Sequence, residues 1–173
     1  RCNPGNLNPD VVKPMGPIDP EIGIFYITTP DEKPIATFVN FAMRLAVVGG
    51  TETSADYAYF LGKILKSVKS DDMMVFFGAG ACGNINHLVV KELRKLRGLK
   101  KAEQIGYVLA GDVIKEYPNL NPLENLELKA ESEIVLLELQ QYTKEEIEQA
   151  KIDAKKSPTS SSTKITARKA LKI

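Results

Sequence analysis

The sequence predicts an α/β fold in which helices are layered on a mixed β-sheet. β-rich runs alternate with amphipathic stretches, a glycine-rich turn follows a short buried run, and 43% of the residues are hydrophobic against 26% charged. The 173 residues suit one domain with its own core. We expect residues 1–156 to form this domain, as part of a larger fold. Residues 157–173 begin with a Ser/Thr-rich stretch, which predicts a flexible linker and the start of a further segment.

The first part of the chain predicts an extended entry followed by a hairpin. Residues 1–20 hold five of the ten prolines, which is typical of a turn-rich surface segment. Residues 22–28 and 35–43 are β-rich, and the Pro-Asp-Glu-Lys-Pro run at 30–34 between them has turn chemistry. The chain starts at Arg1 with no signal-peptide pattern, so we expect a processed or truncated start.

Apolar side chains at three- and four-residue spacing predict a helix over residues 53–69, opened by a capping box from Thr53 and Asp56. Residues 72–77 predict a short buried strand that runs into the glycine-rich turn at 78–83. The same apolar spacing predicts a second amphipathic helix over residues 102–117, and Pro118 marks its end.

The last third of the chain gives weaker patterns. Alternating apolar and charged residues predict a strand at 126–131, and residues 134–139 predict a second strand or an extended segment. Thr143 and Glu146 form a capping box that predicts a short polar helix to about residue 155. Residues 167–173 predict the start of another helix.

Composition restricts the classes of partner. Lys plus Arg total 23 and Asp plus Glu total 22, so the net charge of +1 gives no general attraction to nucleic acid or to an anionic membrane. The basic run at 91–101 lacks aromatic residues that could stack on bases, which favours a solvated surface over nucleic-acid binding. No apolar run is long enough for a transmembrane helix. Cys2 and Cys82 could pair, and the sequence leaves this open.

Three candidate side chains lie around the end of the second β-run. Asn40 and Arg44 precede a Gly-Gly turn, where α/β enzymes place reactive groups, although Asn40 could instead satisfy a turn and Arg44 could simply reach solvent. Asp56 could orient a ligand, but capping the helix explains it equally well.

The segment from Gly78 to His87 is the most informative. Its small residues would let backbone N–H groups approach an anion or an oxyanion closely. It has no P-loop ending, and Gly78, Gly80 and Gly83 match a dinucleotide fingerprint only weakly. Cys82 is a candidate nucleophile or a buried structural thiol. His87 is the only histidine, so a His-rich metal site cannot be built from this chain.

These segments together resemble the neutral/alkaline, non-lysosomal ceramidase family, in particular its bacterial branch. The resemblance covers about residues 8–120. It lies in Asn8-Pro9-Asp10-Val11-Val12, Gly16-Pro17-Ile18-Asp19-Pro20-Glu21-Ile22-Gly23, Asn40-Phe41-Ala42, Gly49-Gly50-Thr51, Ser54-Ala55-Asp56-Tyr57 and Gly80-Ala81-Cys82-Gly83-Asn84-Ile85-Asn86-His87.

The resemblance implies a zinc-dependent hydrolase that cleaves the N-acyl amide bond of ceramide or a related N-acyl lipid, and hence a role in sphingolipid metabolism. Two histidines, a glutamate and a tyrosine hold zinc in that family. One of those histidines falls at the position of Arg44, which cannot bind the metal, and Asn84 stands where the family has an acid. The resemblance further implies that Asn84, Asn86 and His87 line the cavity beside the metal, with backbone amides around Gly83 as donors. The family also implies a secreted or periplasmic location.

Two interpretations follow from this departure. One is an amidohydrolase in which the replacement by Arg44 leaves open whether the chain is active. The other is a non-catalytic homologue that binds an anion or a lipid, or serves as a structural module, because a guanidinium suits carboxylate or phosphate. A third and weaker interpretation is an anion- or nucleotide-binding domain that uses the turn at 78–83.

Overall fold

A computed structural model describes residues 7, 9, 11, 13, 16–89, 97–123, 126–138 and 141–155. The predicted entry at 1–20 lies mostly outside the described residues, as do Cys2, the linker at 157–163 and the helix start at 167–173. The chain divides into two compact units, Arg1–Glu124 and Asn125–Ile173. The expected boundary after residue 156 also lies just beyond the described residues.

The first unit is a three-stranded mixed sheet with two helices, which confirms the predicted α/β class. Its elements in chain order are β1 (Ile22–Thr28), β2 (Pro34–Phe41), α1 (Asp56–Lys69), β3 (Met74–Ala79), α2 (Leu99–Glu116) and a 3-10 turn at Tyr117–Asn119. The strand order is β1-β2-β3, with β1 antiparallel and β3 parallel to β2. The predicted hairpin is therefore confirmed.

The two faces of the sheet differ because side chains alternate along each strand. One face carries Thr37 and Val39 of β2 and packs against the helices. The opposite face is called the outer face below. It is formed by Gly23, Phe25 and Ile27 of β1, Ala36, Phe38 and Asn40 of β2, and Met74, Phe76 and Gly78 of β3.

The core lies between the sheet and the two helices. Its members share almost complete burial and an apolar surface, as the predicted helical stripes require. They are Val39, Met43, Val47, Tyr57, Leu61, Leu65, Met73, Ala102, Leu109, Ala110, Val113 and Tyr117. Val68 and Val108 are also apolar residues of the two helices, but they are 53% and 66% exposed and lie outside this core.

The buried hydroxyl of Thr37 in β2 has polar partners. Thr37 is fully buried, and its hydroxyl lies 2.8 Å from the hydroxyl of Tyr117 and 3.4 Å from the sulfur of Met73. The ammonium of Lys69 lies over the rings of Tyr26 and Tyr117, 5.1 and 4.3 Å from their centres. The end of α1 is thereby joined to β1 and to the end of α2.

The second unit contains α3 (Lys144–Lys155). Its predicted capping box is confirmed: the Thr143 N–H donates to the Glu146 carboxylate at 2.9 Å, and the Glu146 N–H donates to the Thr143 hydroxyl at 3.2 Å. Helix formation here follows from contacts three residues apart, which sequence alone can specify.

The strand predicted at 126–131 is wrong, and so is the strand alternative at 134–139 for the residues described there. Residues 126–138 form no strand or helix, and Leu128, Ile134 and Leu136 are 85–92% exposed. Alternation alone does not make a strand, because a strand also needs a neighbour to accept its backbone hydrogen bonds.

Gly106 sets the distance between α1 and α2. A Cβ atom there would lie 2.6 Å from the Cβ of Phe60 and 2.7 Å from the carbonyl oxygen of Tyr57. We expect Gly106→Ala to push the helices apart and to lower the free energy of unfolding by about 1–3 kcal/mol. The measurement is urea unfolding followed by circular dichroism.

Gly111, on the same helix, is the matched control. It is exposed, and its Cβ would meet nothing within 4 Å. Gly111→Ala should therefore raise stability by about 0.5–1 kcal/mol through helix propensity. An increase in stability for both variants would contradict the close helix contact at Gly106.

Candidate functional site

The candidate residues cluster where β2 and β3 end. These strands are parallel, so their carboxyl ends lie at the same edge of the sheet. The connection after β2 contains Arg44, and the connection after β3 contains residues 83–87. The Arg44 N–H donates to the carbonyl oxygen of Ile85 at 3.4 Å, and the Gly80 N–H donates to that of Phe41 at 3.2 Å. The two connections are therefore in direct contact through their backbones.

Asp56 holds the first connection in place. Its side chain is only 4% exposed, and one carboxylate oxygen accepts hydrogen bonds from the N–H groups of Val47 and Val48 at 2.9 and 2.8 Å. The other oxygen accepts from the Tyr57 N–H at 2.7 Å. A carboxylate at a helix N-terminus is also favoured by the helix dipole. Asp56 therefore joins α1 to the segment that follows β2.

The predicted capping box of Thr53 and Asp56 is thus wrong. α1 begins at Asp56 itself, with no capping hydrogen bond from the preceding residue, and Asp56 has φ +56°. Its N–H donates to the Ser54 hydroxyl at 3.0 Å. Asp tolerates this left-handed conformation better than most residues, and here it turns the carboxylate toward Val47 and Val48.

Tyr57 is a residue that sequence reasoning assigned only to the apolar stripe. Its hydroxyl donates to the Met43 carbonyl oxygen at 2.6 Å, and its ring packs edge-on against Phe77 with 5.4 Å between ring centres. Burial raises the pKa of the Tyr57 hydroxyl well above its ordinary value, and the charges of Asp56 and Cys82 add to the shift. A tyrosine in an apolar stripe signals such a buried partner, because its hydroxyl must be satisfied.

The second connection carries the polar groups predicted to line a cavity. Gly83 and Asn84 are exposed, whereas Asn86 and His87 are half-buried. The His87 N–H donates to the side-chain oxygen of Asn86 at 3.0 Å, and the Ile85 N–H donates to the Cys82 carbonyl at 3.1 Å. The loop turns at Gly83 and Asn84, and the Ile85 carbonyl that follows lies beside the Arg44 backbone.

Asn40 has a structural role on the outer face. Its side-chain N–H donates to the Gly78 carbonyl at 3.2 Å. A Cβ at Gly78 would lie 2.8 Å from the Phe38 ring and 3.0 Å from the Asn40 amide nitrogen, and one at Gly80 would lie 3.2 Å from the Asn40 amide oxygen. A side chain at position 78 would therefore require the Phe38 ring to move, and one at position 80 would pack tightly against Asn40.

This packing removes the basis of the dinucleotide interpretation. Gly78 lies inside β3 rather than in a turn. Residues 84–89 contain no helix, whereas a dinucleotide fingerprint opens one directly.

Cys82 is a half-buried free cysteine.

The described residues do not form a zinc site. In residues 16–89 and the other described ranges, no three His, Cys, Asp or Glu side chains converge as metal ligands would. Arg44 is exposed and cationic, so it is not a metal ligand. A groove of about 460 Å³ lies beside α2, but none of the candidate residues lines it; its walls are Phe41, Met43, Lys101, Gln104, Ile105, Val108 and Leu109.

Comparisons of the chain with protein-family models, with curated proteins and with solved structures find no significant match in any of the three. Within the part of the chain that is described, no helix is both long and apolar enough to cross a bilayer.

Removing the Asp56 carboxylate should destabilise the first unit. Asp56→Ala leaves the N–H groups of Val47, Val48 and Tyr57 without their acceptor, and we expect the free energy of unfolding to fall by about 2–4 kcal/mol. Asp56→Asn keeps one acceptor oxygen and tolerates the backbone conformation, so its loss should be smaller. Urea unfolding measures both.

Asp19→Ala is the control, because the Asp19 carboxylate also accepts a backbone N–H, that of Glu21 at 3.0 Å, but is exposed. We expect a change within about 0.5 kcal/mol. Equal losses for Asp56→Ala and Asp19→Ala would show that burial of the Asp56 carboxylate is unimportant.

The raised pKa of Tyr57 predicts a loss of stability in alkali. The unfolded hydroxyl has a pKa of about 10, and the folded one titrates higher. The native state then keeps its proton where the unfolded state loses it, so stability is full below about pH 10 and declines as the pH rises further. Burial also raises the pKa of Tyr117, so the two hydroxyls act in the same direction.

Tyr57→Phe should cost about 1 kcal/mol at neutral pH through the lost bond to Met43, and should flatten the decline above about pH 10. Unfolding free energies measured at about pH 7 and about pH 11 test this. Tyr59→Phe, an exposed position on the same helix, should keep the wild-type decline. An unchanged decline in Tyr57→Phe would argue against the Tyr57 hydroxyl as its source.

Proposed function

We propose that this chain contributes one part of the reaction cavity of a ceramidase-like amidohydrolase that cleaves the N-acyl amide bond of ceramide or a related N-acyl lipid. The observation that supports this most directly is the contact between the connections after β2 and β3, through the Arg44 N–H and the Ile85 carbonyl. The segments at 40–42 and 80–87, which carry part of the resemblance, also touch through the Gly80 N–H and the Phe41 carbonyl. They do so at the edge of the sheet where α/β folds bind ligands.

In this proposal the loop of residues 83–87 faces the amide to be cleaved. Backbone N–H groups around Gly83 are suited to stabilise negative charge on the carbonyl oxygen, because the glycine lets a substrate approach closely. Asn84 and Asn86 supply donors and acceptors that orient the amide. His87 is the only histidine of the sequence, and imidazole is the most frequent general acid or base, so it is the candidate for proton transfer.

In the same proposal, Asp56 and Tyr57 are positioning residues. They bind the backbone at Val47, Val48 and Met43, and they fix the course of the chain on both sides of Arg44. Neither side chain needs to contact a substrate to affect activity.

The described residues do not fit zinc, so no step of the reaction is assigned to a metal here. If the protein binds zinc, as the resemblance implies, at least some of its ligands come from outside the described residues.

A second candidate function is a non-catalytic homologue that binds an anion or a lipid. It is favoured by Arg44, an exposed residue whose backbone N–H donates to the loop of residues 83–87. A guanidinium binds carboxylate and phosphate through paired hydrogen bonds, whereas it repels a metal ion.

Metal analysis and a fluorescent-ceramide assay on the full-length gene product separate the two candidates. The hydrolase proposal expects bound zinc and release of fatty acid, and it expects His87→Ala to lower turnover by a factor of about 100 or more if His87 transfers a proton. Lys63→Ala, on the exposed part of α1, should leave turnover unchanged and serves as the control.

The absence of both zinc and turnover would reject the hydrolase and favour the non-catalytic homologue. In that case we expect Arg44→His to recover zinc binding, and Arg44→Ala to weaken binding of a long-chain carboxylate by a factor of about 10 or more. Tight zinc binding by the wild-type protein would reject the non-catalytic candidate.

A further inference from the structure

The outer face of the sheet is uncharged at each of its nine positions. The strand register places its side chains in three rows across β1, β2 and β3. The central row consists of phenylalanines, Phe25, Phe38 and Phe76. One neighbouring row is Ile27, Ala36 and Met74, and the other is Gly23, Asn40 and Gly78.

This face is also open to solvent. Its large apolar members are exposed to between 40% and 53%, and they are Phe25, Ile27, Phe38, Met74 and Phe76. When one face of a sheet remains in water, the side chains on that face are normally polar. A contiguous apolar patch on a monomer instead marks a surface that contacts another layer.

We propose that a second copy of this chain covers the outer face, so that two sheets stack face to face about a two-fold axis. In such a dimer each patch meets itself, and any charge near the axis meets a like charge. The outer face avoids this penalty because none of its nine positions carries a charge.

The area agrees with a reversible dimer. A large aromatic or aliphatic side chain has roughly 200 Å² to bury, so five of them at 40–53% exposure offer about 400–500 Å² per copy. Two copies then bury about 800–1,000 Å² from these side chains, and the rim adds to this figure. Specific but weak complexes have interfaces of this size, so we expect the dimer to dissociate on dilution.

Stacked sheets lie about 10 Å apart, with their strands nearly aligned. The helices pack on the opposite face of the sheet, so dimerisation does not require them to move. The dimer does not rest on the proposed hydrolase function, and failure of either can be recognised separately.

Sedimentation velocity of the full chain, from low to high micromolar concentration, tests the proposal. The wild-type protein should shift from monomer to dimer as concentration rises. Phe38→Lys, at the centre of the outer face, should remain monomeric at every concentration, because two ammonium groups would meet at the axis. Phe76→Lys should do the same, and it preserves the test if loss of the Phe38 ring over Gly78 unfolds the chain.

Val108→Lys is the matched control, since Val108 is a 66% exposed apolar residue on α2, away from the outer face. This variant should dimerise as the wild type does. A wild-type protein that stays monomeric throughout would overturn the proposal. So would association that survives in folded Phe38→Lys or Phe76→Lys, or association that continues beyond the dimer, because a two-fold contact closes on itself.

Discussion

The hydrogen bonds from Val47 and Val48 to the buried carboxylate of Asp56 determine where the chain goes after β2. Together with the bond from the Tyr57 hydroxyl to the Met43 carbonyl, they hold this segment against α1. With them, the Val47 carbonyl is placed to accept from the Gly98 N–H at 2.9 Å, which fixes the start of α2. One carboxylate therefore connects the strand end, the first helix and the second helix. This polar group is tolerated in the interior because each of its oxygens accepts from backbone donors.

The same segment explains why the candidate site lies at this edge of the sheet. Val47 and Met43 are buried in the core, whereas Arg44, Leu45 and Ala46 between them face solvent. Anchors on both sides thus leave three exposed residues in a short loop beside the connection after β3. A loop held at both ends can present a side chain with little loss of conformational entropy on binding.

The sequence predicted those parts of the fold that depend on local periodicity. β1, β2, α1, β3 and α2 were all expected within a few residues of their observed bounds, because apolar spacing reports which face is buried. The capping box of Thr143 and Glu146 was also predictable, because its two partners lie only three residues apart in the sequence.

What sequence reasoning missed depends on contacts between distant segments. Asp56 looked like a cap, but its partners are Val47 and Val48, which only the folded chain brings to it. The glycines at 78 and 80 looked like an anion-binding turn, but they make room for Phe38 and Asn40 of the neighbouring strand. The contact between the Arg44 and Ile85 backbones follows from the parallel pairing of β2 and β3, which no local pattern specifies. The family resemblance grouped these segments without giving that geometry.

The parallel pairing of β2 with β3 has a consequence for how the chain reaches its native state. β1 and β2 are joined by a short turn and can pair quickly, but β3 can join only after the chain has crossed over through α1. Closing this long connection costs conformational entropy, and the hydrogen bonds between β2 and β3 offset that cost only when the strands have paired. We therefore expect the late, rate-limiting event of folding to be the arrival of β3 beside an already formed hairpin and helix, with the phenylalanine-rich edge of β2 exposed to other chains until it happens.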